Sequence, residues 1–176
     1  MKFLLFSRLR EAVQLPLFAL ACLGTHELGH AVAGWLVGQH VSEFVVLSLR
    51  PHVCLVGPTT AAQEAFIAVA GTALILLGWF AMLLWKRTRG FWTTDLLSGF
   101  ALVELLGWTL SSLMPPGGPS PDDAEWFSTA SGASPDVVAA VCVFLAFSGC
   151  LLWLRPVRKS EEARACHFMS AGGADA

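Results

Sequence analysis

Charge is what this chain has least of. Of its 176 residues only 14% are Asp, Glu, Lys or Arg, against about 25% in soluble domains. That shortage excludes an ordinary water-soluble globular domain. The formal net charge is −2, and it offers no case for a nucleic-acid partner. Asparagine and tyrosine do not occur at all, and neither absence carries a physical message. The five cysteines (Cys22, Cys54, Cys142, Cys150, Cys166) include no CxxC pair, so neither a zinc ribbon nor a dithiol redox motif is indicated.

Apolar surface is abundant instead. Hydrophobic residues make up 55% of the sequence and the mean hydropathy is +0.64, the composition of an integral membrane protein. Four apolar stretches, residues 12–38, 61–85, 91–114 and 137–154, are long enough to cross a bilayer. The expected fold is therefore an all-α membrane protein of about four transmembrane helices. A membrane domain over residues 12–155 follows a basic arm over 1–11, with Lys2, Arg8 and Arg10, and precedes a polar tail over 156–176. A cleaved signal is disfavoured, because a cut at Ala19-Leu20-Ala21 would fall inside the first apolar stretch. Pro16 kinks that stretch or marks a turn, and Gly24, Gly29 and Gly34 leave room for a neighbouring helix.

Between the first two spans the pattern changes to β-prone. Residues 41–49 and 53–56 flank a turn at Arg50-Pro51-His52, with Gly57-Pro58 closing the segment. That reads as a short β-hairpin at the membrane edge. His40 and His52 read as histidines in contact with water. Residues 114–135 form a Pro/Gly-rich loop carrying Asp122, Asp123 and Glu125. The arm, the 86–89 turn and the segment after Leu154 hold ten of the eleven Lys and Arg residues. The hairpin holds only Arg50 and the acidic loop holds none. Four spans alternate these groups across the membrane, which places both termini in the cytoplasm.

The chemistry is concentrated in Thr25-His26-Glu27-Leu28-Gly29-His30, inside the first apolar stretch. On a helix His26 and His30 project from one face, where two imidazoles can bind one Zn²⁺ with Glu27 beside them as general base. A chance HExxH would appear in roughly 0.6% of chains with this many His and Glu, so accident is a poor explanation. Three ionisable groups in an apolar helix are costly unless they have a use. A catalytic zinc wants three protein ligands and an open position, and the eligible third carboxylates are Asp122, Asp123, Glu125 and Glu104. Glu104 lies in mid-span, either as a functional group or as a structural glutamate facing the bundle. Asp95, near a helix start, reads as structural. Cys22, four residues before His26, reads as a small apolar residue.

The HExxH in the first span resembles the site-2 protease family of intramembrane zinc metalloproteases. So do the hairpin, the Ala70-Gly71-Thr72-Ala73 stretch (similar to that family's AGPxAN) and a Pro-rich segment ending in Asp. The resemblance covers about residues 12–130, and the HExxH is its sharp element. It implies that Asp123 is the third ligand to one Zn²⁺ per chain, with Asp122 the alternative. The family's NxxPxxxLDG is matched by Ser112-Leu113-Met114-Pro115 and then Asp123-Ala124, so Asn is replaced by Ser and the gap to Asp is longer. The resemblance implies hydrolysis of membrane-embedded protein substrates, with Ser112, Pro115 and Val45 of the first strand as substrate contacts. A regulatory membrane partner fits the absence of a sensing domain, and nothing fixes an oligomeric state. The rival readings are a zinc protease with a cytosolic catalytic domain, a catalytically inactive scaffold or metal-binding protein of the same fold, and a metal transporter. The first lacks room for a soluble domain, the second would suit a broken HExxH, and the third wants ligands along more than one span.

Overall fold

Gly38 decides where the first helix stops. It adopts a left-handed φ of 88°, which costs glycine nothing. Its N–H donates to Trp35 O at 3.1 Å and the next N–H, of Gln39, donates back to Gly34 O at 2.9 Å. These two bonds satisfy the last carbonyls of the helix and throw the chain outward. In the computed structural model, which describes residues 2–48, 51–85, 92–114 and 122–154, that helix is α1 (Lys2–Leu36). It takes in residues 2–11, set apart above as an arm, and runs through Pro16 without a turn.

The chain then forms β1 (His40–Val45) and β2 (His52–Val56), an antiparallel pair. His52, expected in the turn, is the first residue of β2 and pairs with Val45. Next comes α2 (Ala61–Leu84). Its start is fixed by a capping box, in which Gln63 Oε1 accepts from Thr60 N at 2.9 Å and Thr60 Oγ1 from Gln63 N at 3.4 Å. α3 (Trp92–Leu113), α4 (Asp123–Ser131) and α5 (Pro135–Trp153) complete the order. Helix α4 corrects the expectation of a loop through residue 135. Asp122 caps it, accepting from Glu125 N at 2.9 Å, and Gly132 closes it.

Helix α1 packs along α2, α3 along α5, and α4 against α2. The core between α2, α3 and α5 holds Trp79, Leu83, Ala101, Leu105 and Cys142. The buried indole of Trp79 donates to Ser98 Oγ at 2.8 Å, and Ser98 in turn donates to Thr94 O at 2.7 Å, so no polar atom of that set is stranded. Asp95 does have a structural partner. It accepts from Trp153 Nε1 at 2.9 Å and ties α3 to the end of α5.

Among the described residues three helices, α2, α3 and α5, are long and apolar enough to cross a membrane. Only 39%, 22% and 22% of their most apolar windows are buried inside the molecule. Most of that apolar surface therefore faces outward, as bilayer contact requires. The fourth expected span, within α1, is long enough but not of that class. Gln14, Pro16, His26, Glu27 and His30 dilute its apolar character.

Candidate metal centre

His26, Glu27 and His30 are buried, and the reason lies in α2. A Cβ built on Gly29 of α1 would meet Ala70 O at 2.5 Å and Gly71 Cα at 2.8 Å. Two helix backbones approach this closely only where side chains are missing. The small-residue run of α2, expected as a packing face, thus lies directly on the HExxH turn. Gly71 stands against the two imidazoles themselves.

The rings are held from behind. Nδ1 of His30 bonds Ile67 O at 2.7 Å. In the neutral ring that nitrogen donates, which leaves Nε2 an acceptor. Nδ1 of His26 lies 3.4 Å from Glu104 Oε2 of α3. It makes no closer hydrogen bond among the described residues. Glu104 also accepts from Thr72 Oγ1 at 3.2 Å. Glu104 therefore sits behind His26, on the side of the ring away from the other ligand atoms.

The third donor arrives on α4. Asp123 Oδ2 lies 2.9 Å from His26 Nε2 and 3.2 Å from His30 Nε2, and the two Nε2 atoms are 3.1 Å apart. Burial of Asp123 favours its neutral acid, but hydrogen bonds with His26 and His30 outweigh burial and hold the carboxyl below the usual range. The other eligible carboxylates are elsewhere. Asp122 is occupied as the α4 cap and accepts from the Ser111 hydroxyl. Glu125 contributes its backbone N–H to that cap.

These three atoms fit a metal. A tetrahedral zinc with ligands at about 2.0–2.1 Å separates neighbouring ligand atoms by about 3.3 Å, close to the observed 2.9, 3.1 and 3.2 Å. All three atoms can also act as acceptors toward a cation.

Glu27, His30 and Asp123 line one cavity of about 580 Å³ with Gln39, Pro51, His52, Val53, Leu55, Glu64 and Trp126. Glu27 faces it and makes no hydrogen bond among the described residues. A second cavity of about 330 Å³ lies on the Glu104 side, lined by His26, Ser111, Asp122 and Asp123. The residues read as substrate contacts are placed differently. Val45 ends β1, whereas the hairpin's contribution to the larger cavity comes from β2 and the residue before it. Ser112 is buried in the last turn of α3 and lines neither of these cavities, while its neighbour Ser111 lines the smaller one. Pro115 lies outside the described residues.

Gly71, the Ile67 carbonyl and Gln39 were not singled out as site residues from sequence. Gly71 and Ile67 sit one helical turn apart in α2, and only their packing on α1 reveals a role. Comparison with family models, with curated proteins and with solved structures finds no match for this chain.

Proposed function

We propose that this chain is an intramembrane zinc metalloprotease that hydrolyses peptide bonds of membrane-embedded proteins, as its resemblance to the site-2 protease family implies. The observation that carries the proposal is the convergence of Asp123 Oδ2 on the two Nε2 atoms of an HExxH pair, from a helix about a hundred residues further along the chain. His26, His30 and Asp123 would hold the ion, leaving one position open toward a cavity. The chemistry a bound Zn²⁺ supplies is Lewis acidity toward a peptide carbonyl and toward water.

The remaining work falls to the protein. Glu27 takes a proton from the attacking water and delivers it to the leaving amine as the C–N bond breaks. Ile67 O fixes the ring of His30, and Glu104 stands behind that of His26. A helical substrate hides its carbonyls in hydrogen bonds, so a segment must unwind before it can lie in the cavity, alongside β2. In this reading α1 is a fourth crossing, both termini face the cytoplasm, and the hairpin and α4 lie toward the opposite side. The substrate is a membrane protein.

The test is metal content and cleavage by detergent-purified protein. About one zinc per chain bound at this centre, lost in His26→Ala and Asp123→Ala, together with scission of a reporter transmembrane segment, supports the proposal. A wild-type chain that holds no zinc dependent on His26 sinks it.

A further inference from the structure

The hairpin carries a second donor set, separate from His26, His30 and Asp123. Strand alternation places His52 and Cys54 of β2 on one face and Val53 and Leu55 on the other. Burial follows that division, with His52 and Cys54 exposed and Val53 and Leu55 half-buried. Directly across the ladder, Cys54 pairs with Glu43.

That pairing depends on a bulge. The register shifts between Val41, opposite Leu55, and Glu43, opposite Cys54, so Ser42 is an extra residue. Its hydroxyl donates to Cys54 O at 3.1 Å. In an unbroken ladder Ser42 would oppose Cys54, and Glu43 would point to the other face with Val53. The bulge brings Glu43 round to the face that holds His52 and Cys54. Glu43 Oε2 then lies 3.9 Å from His52 Nε2, and one ligand atom from each of the three residues lies within 4.8 Å of the others.

We propose that this face of the hairpin is a second zinc site, ligated by Glu43, His52 and Cys54. One carboxylate, one imidazole and one thiolate suit a borderline-soft ion; Mg²⁺ and Ca²⁺ want oxygen ligands alone. The side chains are exposed, so small rotations bring the ligand atoms to the separations of roughly 3.3–3.6 Å that a tetrahedral ion needs. An ion here ties β1 to β2. It also engages His52, which lines the larger cavity with Glu27 and His30, so the site sits at that cavity's rim. It stands whether or not the buried centre binds metal.

The test uses full-length protein in detergent, stripped of metal and titrated with Zn²⁺ and, separately, with Co²⁺. Cobalt reports its ligands, because a bound thiolate adds a charge-transfer absorption that imidazole and carboxylate do not. The expected result is about two zinc ions per chain, with a cobalt–thiolate band in the wild type. Cys54→Ser abolishes the band, and Glu43→Gln and His52→Ala each weaken or abolish it. His26→Ala leaves it intact. A protein in which His26 and His30 never load a metal would still show a band that depends on Cys54, which separates this site from the buried centre. A wild type without the band overturns the proposal. So does a band that survives Cys54→Ser, or one indifferent to both Glu43→Gln and His52→Ala.

Discussion

Gly71 stands so close to His30 that a Cβ on it would lie 2.5 Å from the His30 Nε2 atom and 2.8 Å from that of His26. No carbon fits there unless the imidazoles move, and these are the nitrogens that converge on Asp123. Gly71→Ala is therefore expected to displace both rings while leaving the rest of α2 intact. Zinc affinity should fall by at least about tenfold, and cleavage by about 100-fold, the usual cost of misplacing a reacting group by an ångström. Gly78→Ala, in the same helix with open space at its Cβ position, is the control and should change neither. Wild-type zinc binding in Gly71→Ala would show that the helices part easily at this point.

Asp122 and Asp123 are neighbours with different tasks, and two alanine variants separate them. Asp122→Ala removes the α4 cap, worth about 1 kcal/mol, and its contact with Ser111. The expected outcome is a thermal midpoint lower by about 2–4 °C, with zinc still bound at saturating concentration. Asp123→Ala leaves two imidazoles and an uncompensated gap, so the zinc of this centre should be lost on dialysis. If Asp122→Ala loses zinc and Asp123→Ala keeps it, the ligand assignment is reversed.

That pair also marks where the sequence stops being legible. The HExxH spacing, the three most apolar spans and the hairpin can all be read from local pattern, because helix and strand periods are local properties. Helix α4 is also marked by local pattern. Asp122-Asp123-Ala124-Glu125 is a helix-start signal and Gly132 a stop, but the run of Pro and Gly before it suggested an unbroken loop. Once α4 is recognised, the cap falls to Asp122 and Asp123 becomes its first helical residue. The position of Glu104 is another matter. It meets His26 only because α1, α2 and α3 pack together, and no local spacing encodes that contact.

In the proposed centre Glu104 is a positioning residue, and its chemistry should show it. With its carboxylate 3.4 Å from His26 Nδ1 and bonded to Thr72, it would act on a metal held at His26 and His30 through the imidazole. Glu104→Ala should weaken zinc binding by about 10- to 100-fold, the range for outer ligand partners, without abolishing it. Glu104→Gln keeps a hydrogen-bonding oxygen in place and should recover part of the loss. A chelator competition titration measures both. Complete and equal loss of zinc in the two variants would make Glu104 a direct ligand instead.

In the proposed mechanism, hydrolysis depends on Glu27. It is only 8% exposed, yet it lines the larger cavity beside His30 and Asp123. Being adjacent to His26 on the helix, it cannot lie on the same face as both imidazoles. It is therefore poorly placed as a third ligand but well placed to reach water that enters the cavity. Glu27→Gln preserves size and removes the ability to take a proton. The expected outcome is a full complement of zinc with reporter cleavage reduced by about 10²- to 10⁴-fold, the usual worth of a general base. Zinc analysis and cleavage must be read on the same preparation, because the two results answer different questions. Loss of zinc in Glu27→Gln would make the carboxylate a ligand. Retained zinc with undiminished cleavage would assign the proton transfer to another group, and the mechanism would have to be rebuilt around it.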